Sequence, residues 1–154
     1  MSYERPAAAS RAPERMLGMS QTRRLLVTDV DGVLTDGGIY YGSEGERLKR
    51  FNTKDGSAIK EAMQQGWTVC FLSNGDCRAA VASRAARLGV AFWYVGGQSK
   101  VTVLEEWLAQ LSTSWEAVAY IGDDVADIEV LTRAALAVCP GDAIPRVRQV
   151  CDWV

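Results

Sequence analysis

The sequence contains no histidine among its 154 residues. That excludes histidine-based triads, imidazole acid–base schemes and most zinc sites. Any catalysis must run on carboxylates, Lys, Ser, Cys or a metal ion. Cysteine is sparse: Cys70, Cys77, Cys139 and Cys151, with no pair at metal-ligand spacing. Cys70 and Cys139 sit in apolar runs and read as small core residues. A reduced, cytoplasmic chain is the simple expectation. No apolar run approaches the ~18 residues of a membrane span, and the first twenty residues lack the apolar core of a signal peptide. The net charge is only −2, so no basic excess invites nucleic acid or an anionic membrane, and neither is expected as a partner.

What is present is an ordinary globular composition, 48% hydrophobic and 23% charged, on a chain long enough to bury a core without staples. Residues 1–22 mix Ala, Arg, Glu, Pro and Ser and read as a flexible tail, with Met16 and Met19 as alternative starts. The folded domain is expected over residues 23–154. Strand-like and helix-like segments then alternate. Strands are predicted at Arg24–Val30, Trp67–Leu72, Ala91–Val95, Ala117–Ile121 and Leu136–Val138, with an edge strand at Asp152–Val154. Helices are predicted at Lys54–Gln65, Asp76–Leu88, Ser99–Leu111, Val125–Arg133 and Ile144–Val150. Gly38–Tyr41 and Arg47–Phe51 flank Gly42-Ser-Glu-Gly45 as a small hairpin. This order implies an α/β fold: a three-layer, doubly wound parallel sheet, with its ligand beyond the carboxyl ends of the strands.

Two acidic groups fall at that edge. LLVTDVDGVLTDG places Asp29 and Asp31 after the first strand, and AYIGDDVADIEVL places Asp123, Asp124 and Asp127 after another. Taken alone, the first reads equally as an Asp-Gly turn and the second as an Asp-capped helix. Together, five carboxylates on one sheet edge repel one another and raise their pKa values. A hard oxygen-liganded dication removes that conflict, so a Mg²⁺ site is predicted. Ser73 and Asn74, in CFLSNGD, offer a hydroxyl and an amide at the same edge. Lys100 opens a helix, where a cation meets the positive end of the dipole; a phosphate bound there would offset that cost. Lys49, Arg50, Lys54 and Arg78 are candidate anchors for an anionic substrate.

These residues resemble the haloacid dehalogenase-like superfamily of phosphohydrolases. The four signatures fall in order: Asp29-Val-Asp31-Gly-Val-Leu-Thr35, Ser73-Asn74, Lys100 and Gly122-Asp123-Asp124-Val-Ala-Asp127. The stretch from Asp29 to Trp67, SRAARLGV and YIGDDVADIEVL are further similar to the 3-deoxy-manno-octulosonate 8-phosphate and nonulosonate 9-phosphate phosphatases. The resemblance implies a Rossmann-like core with a hairpin flap and no large cap domain. It implies Asp29 as nucleophile and Asp31 as general acid. Mg²⁺ would sit on Asp29, the Asp31 carbonyl and Asp123, with Asp124 or Asp127 holding waters. Ser73, Asn74 and Lys100 would bind the phosphoryl group, Thr35 and Arg78 would be further substrate-binding residues, and Asp127 would alternatively cap the helix or orient Lys100. It implies a cytoplasmic homotetramer of lipopolysaccharide biosynthesis, in which hairpin Gly38–Phe51 lies near a neighbour's active site. The relatives usually carry Thr-Gly-Arg where this chain has Ser73-Asn74-Gly75, and they extend past Val154 with a glycine-rich tail. Two other readings stand beside this one: a capless phosphatase with another substrate, and a non-catalytic binding module.

Overall fold

The computed structural model describes residues 12–20, 23–45 and 47–154. Five short strands form one parallel sheet in the order β5-β4-β1-β6-β7. They are β1 (Leu25–Thr28), β4 (Thr68–Ser73), β5 (Phe92–Val95), β6 (Val118–Ile121) and β7 (Leu136–Val138). A separate two-stranded ribbon pairs β2 (Tyr40–Tyr41) with β3 (Arg47–Leu48). Side-chain alternation along the central strands builds two cores. Leu25, Val27, Cys70, Leu72, Val118 and Tyr120 point to one face, beneath α4 (Lys100–Leu111), α5 (Ile128–Arg133) and α6 (Pro145–Val150). Val69 and Phe71 point to the other, with Ile59 from α2 (Thr53–Gln64) and Val81, Ala85 and Leu88 from α3 (Arg78–Leu88). A strand covered on both faces needs apolar residues at every position, which is what these sequences provide.

The helices start and stop where local chemistry directs. The Asn52 side chain accepts from Lys54 N–H at 2.9 Å and caps α2. Gly66, with φ +85°, follows its end. On α4 the residues Val101, Val103, Leu104, Trp107 and Leu108 are buried, the stripe expected of a helix lying on a sheet.

Three features differ from the sequence-based expectation. The expected helix over Val125–Arg133 opens as a 3₁₀ turn at Val125–Asp127 before α5 begins. Asp127 is turned back to accept from the N–H groups of Asp123 (3.0 Å) and Asp124 (3.2 Å), which tightens the first turn. Residues 152–154 make only a single bridge, Val138 with Trp153, instead of an edge strand. There the Asp152 carboxylate accepts from Ala137 N–H at 2.9 Å and holds the chain end by a side chain. Finally, α1 (Ala12–Gly18) lies within the stretch read as a tail, of which residues 1–11 and 21–22 fall outside the described residues. Ala12 and Met19 pack with Ala119 and Leu136. Arg15 reaches Asp152 at 3.1 Å and the Ala135 carbonyl at 3.2 Å. Composition alone did not reveal these tertiary contacts.

No helix among the described residues is long and apolar enough to cross a membrane. Leu104 is fully buried where α4 meets the sheet. Leu104→Ala is expected to lower unfolding free energy by about 2–5 kcal/mol, measured by urea denaturation; a loss under 1 kcal/mol would show that this helix contributes little to the core.

Candidate active site

Strand β1 sits between β4 and β6, and the chain leaves it in opposite directions on the two sides. That opens a crevice at the carboxyl ends of these strands. A cavity of about 340 Å³ lies there, lined by Asp29, Asp31, Ser73, Asn74, Lys100, Asp123 and Asp124 among others. Seven sequence-predicted residues from four segments thus converge. A larger hollow of about 490 Å³ beside Asp36, Arg50 and Asp55 lacks such a convergence of carboxylates.

The loop after β1 turns sharply. The Leu34 and Thr35 N–H groups both donate to the Val30 carbonyl, at 2.9 and 3.0 Å. Gly32 adopts φ +84°, open to glycine at little cost. A side chain at Gly32 would overlap the Asp123 carboxylate, so glycine also lets the two acidic loops close together. Gly122 does the same service for Asp127, whose carboxylate packs where a Cβ would stand.

Asp29 is buried, with Oδ1 accepting from Val30 N–H at 2.7 Å and Oδ2 3.0 Å from Lys100 Nζ. Lys100 also donates to Asp127 Oδ1 at 2.6 Å, and only 4% of its surface is exposed. The cost of a cation at the start of α4 is therefore offset by two carboxylates, where the sequence pointed to a bound phosphate. Burial pushes the Asp29 carboxyl up to about 7, against the lowering effect of Lys100 and with the raising effect of Asp127. Asp123 is pushed up to about 6, by burial and by Asp127 and Asp124.

Oxygens of Asp29, Asp123 and Asp127 all lie within 4.8 Å of one another. Asp123 Oδ1 is buried without a hydrogen-bond partner, alone in this among the described residues. Such an orphaned acceptor beside a second carboxylate fits a hard dication. Asp127 is differently placed. Its Oδ1 accepts from Lys100 and from Tyr120 Oη (2.5 Å), and its Oδ2 accepts from two backbone N–H groups. All four acceptor positions of that carboxylate are filled, which leaves Asp29 and Asp123 as the groups with capacity for a cation. Asp31 and Asp124 stand outside the cluster. Asp124 Oδ1 accepts from Val125 N–H at 2.6 Å. Asp31 accepts from Ser73 Oγ at 3.4 Å and pairs with Lys49.

Other predicted residues spend their polar groups on the backbone. The Asn74 amide donates to the Gly96 and Gln98 carbonyls, both at 2.8 Å, and so braces the loop leading to Lys100. Thr35 Oγ1 accepts from Gly32 N–H (3.3 Å) and Gly37 N–H (3.2 Å), holding the turn. Arg78 donates to the Val95 carbonyl at 3.1 Å and stacks on Trp93, away from the cavity. Sequence reasoning missed Tyr120, whose only signal was its place two residues before Gly122. It also treated Lys49 only as a substrate anchor, whereas the side chain bonds Asp31. A second hairpin cation, Arg47, pairs with Asp76.

A haloacid dehalogenase-like hydrolase family model matches residues 92–154. The 3-deoxy-D-manno-octulosonate 8-phosphate phosphatase of Escherichia coli K12 is 37% identical over 139 residues, covering 90% of this chain and 73% of the relative. The crystal structure of the Yersinia pestis phosphatase of that name superposes with a TM-score of 0.84 at 37% identity, covering 93% of this chain and 75% of that one. The Moraxella catarrhalis phosphatase, solved with a magnesium ion, a phosphate ion and KDO, superposes with a TM-score of 0.81 at 29% identity, covering 95% of this chain and 79% of that one. The order of the strands, the acidic crevice at their carboxyl ends and these likenesses converge: the chain belongs to the 3-deoxy-D-manno-octulosonate 8-phosphate phosphatase family of the haloacid dehalogenase-like hydrolases.

Proposed function

We propose that this chain is a Mg²⁺-dependent phosphomonoesterase that hydrolyses a phosphorylated sugar acid, such as 3-deoxy-D-manno-octulosonate 8-phosphate or a nonulosonate 9-phosphate. The observation that carries this reading is the nucleophile candidate Asp29 held by Lys100 beside the orphaned Asp123 Oδ1. The Moraxella relative, bound to magnesium, phosphate and KDO, supports the same assignment.

Asp29 and Asp123 would hold the cation. Bound there, Mg²⁺ supplies positive charge that offsets repulsion between carboxylate and phosphoryl oxygens. Asp29 attacks phosphorus and forms an aspartyl-phosphate while the P–O bond to the sugar breaks. Asp31, oriented by Ser73 and Lys49 as a carboxylate, would have to take up a proton in the substrate complex, which it gives to the departing alkoxide. It then takes a proton from the water that hydrolyses the aspartyl-phosphate, freeing Asp29 and inorganic phosphate. Lys100 has three N–H donors; two serve Asp127 and Asp29, and the third serves a phosphoryl oxygen. The Ser73 hydroxyl, which accepts from Gly75 N–H and points at Asp31, stands beside the cavity as a further donor for the phosphoryl group, with the Asn74 amide fixing the loop behind it.

The hairpin leans on its own chain's site through Lys49–Asp31 and Arg47–Asp76. Its Ile39, Tyr40, Tyr41 and Leu48 remain exposed. An apolar patch on so small a ribbon is suited to a protein neighbour. This supports a homotetramer in which each hairpin also borders the next subunit's site. The proposed metabolite substrate and the unpaired cysteines support a cytoplasmic location.

Phosphate release from a panel of phosphorylated sugars and sugar acids tests the reaction. Wild type is expected to prefer a keto-sugar acid phosphate. EDTA and Asp29→Asn are each expected to lower the rate by at least about 10³-fold. Release that persists in Asp29→Asn would remove the covalent mechanism, and indiscriminate release would remove the substrate.

Stability supplies a second test. The Asp29 and Asp123 carboxyls titrate higher in the folded chain than their ordinary value of 3.8. Between pH 4 and pH 7, therefore, the folded state keeps protons that the unfolded state has lost. Their contribution to stability is full below about pH 4 and is lost as pH rises through 6 to 7. The metal-free protein is expected to melt lower at pH 8 than at pH 5. Mg²⁺ is expected to raise the pH 8 melting temperature, and Asp29→Asn to flatten the pH dependence. A metal-free melting temperature equal at the two pH values would contradict this account.

A further inference from the structure

We propose that Tyr120 is a positioning residue for the phosphoryl site: its hydroxyl proton fills the last acceptor position of Asp127 and so keeps Lys100 shared with Asp29. This rests on the hydrolase reading above and extends it to a residue in the core of the sheet.

Tyr120 lies on β6 with no exposed surface, opposite Val27 of β1. Its ring packs among Leu25, Val27, Leu72, Leu104 and Val130. A phenylalanine would satisfy that packing equally well. The hydroxyl therefore stands out as a polar group placed in an apolar layer, and it has one described partner, Asp127 Oδ1 at 2.5 Å. Burial, with Asp127 and Asp29 nearby, pushes the phenol well above its usual range, so it stays a donor at any working pH.

The consequence is a question of competition at one oxygen. Asp127 Oδ1 accepts from both Tyr120 and Lys100, at 2.5 and 2.6 Å, while Oδ2 is engaged by the Asp123 and Asp124 N–H groups. Lys100 Nζ stands 3.0 Å from Asp29 Oδ2, a looser contact. Without the hydroxyl, the whole negative character of Oδ1 falls on Lys100. The ammonium is then drawn deeper toward Asp127 and away from Asp29 and the cavity. In a low-dielectric pocket such a redistribution is felt strongly. The hydroxyl donor thus sets how much of the lysine's charge is delivered to the reacting phosphoryl group, without touching the substrate.

The test is Tyr120→Phe in the full chain, assayed with Mg²⁺ against an aryl phosphate and against the best sugar phosphate of the panel. We expect kcat/KM to fall about tenfold, the scale of one hydrogen bond to a charged group. The inhibition constant of inorganic phosphate is expected to rise by a similar factor. A purely structural hydroxyl would lower the melting temperature and leave these constants unchanged. Variant constants within twofold of wild type overturn the proposal while leaving the phosphatase reading intact.

A second measurement needs neither the variant nor turnover. In wild type, the Tyr120 hydroxyl proton is expected as a slowly exchanging NMR resonance that shifts when inorganic phosphate and Mg²⁺ are added, as Lys100 redistributes its donors. A resonance unmoved by saturating phosphate overturns the proposal. Absence of phosphate release by wild type would instead overturn the functional reading, and the resonance would still report on Tyr120.

Discussion

The rest of the site depends on one buried cation. Lys100 sits almost out of solvent between the carboxylates of Asp29 and Asp127. A buried ammonium is costly unless it is paired, and each of these buried carboxylates is costly without it. The three groups come from the ends of three different elements: β1, the start of α4, and the turn after β6. Bringing them together requires the crossovers to be right, the Gly32 and Gly122 backbones to be bare, and the Asn74 amide to hold the loop before Lys100. The ion pair network is thus a check on the whole fold as well as a piece of chemical apparatus.

That network leaves the acidic edge short of positive charge. Asp29 and Asp123 titrate upward, and Asp123 Oδ1 has no partner among the described residues. A site built only for stability would not retain this conflict. Repulsion that a dication would relieve amounts to binding energy held ready for it. Asp127 shows the opposite state. With four donors on two oxygens it is saturated, and it acts as the rigid backing of Lys100. Two aspartates four residues apart in one motif therefore have different work, and only their hydrogen bonds tell them apart.

The polar residues around the crevice divide in the same way. Ser73 reaches Asp31 and the cavity, but Thr35 and Asn74 hold backbone in place, and Arg78 packs on Trp93. A loop that carries reactive groups needs its N–H and C=O groups satisfied, and nearby short side chains are the cheapest donors and acceptors for that. A motif cannot show which of its hydroxyls and amides are spent on the loop itself. Tyr120 lies at the far end of the same chain of contacts. It reads as a core aromatic because its ring is one, and its hydroxyl gains a role only from Asp127 above it.

The sequence by itself determined the alternation of strands and helices, the parallel sheet, and the gathering of the carboxylates, Ser73, Asn74 and Lys100 at its carboxyl edge. These are local signals: apolar runs of strand length, glycines after helices, and carboxylates where an apolar run stops. Element boundaries agreed to within a few residues, apart from the turn at Val125–Asp127 and the chain end. Only the tertiary structure decided how the carboxylates share their partners. It brought oxygens of Asp29, Asp123 and Asp127 together, left Asp31 and Asp124 outside that cluster, and placed Lys49 on Asp31. It also docked α1 through Ala12, Met19 and Arg15. The physical reason is the same in each case: hydrogen bonds and ion pairs between residues distant in sequence are settled by competition for a limited number of lone pairs and donors, and that competition exists only once the chain has folded.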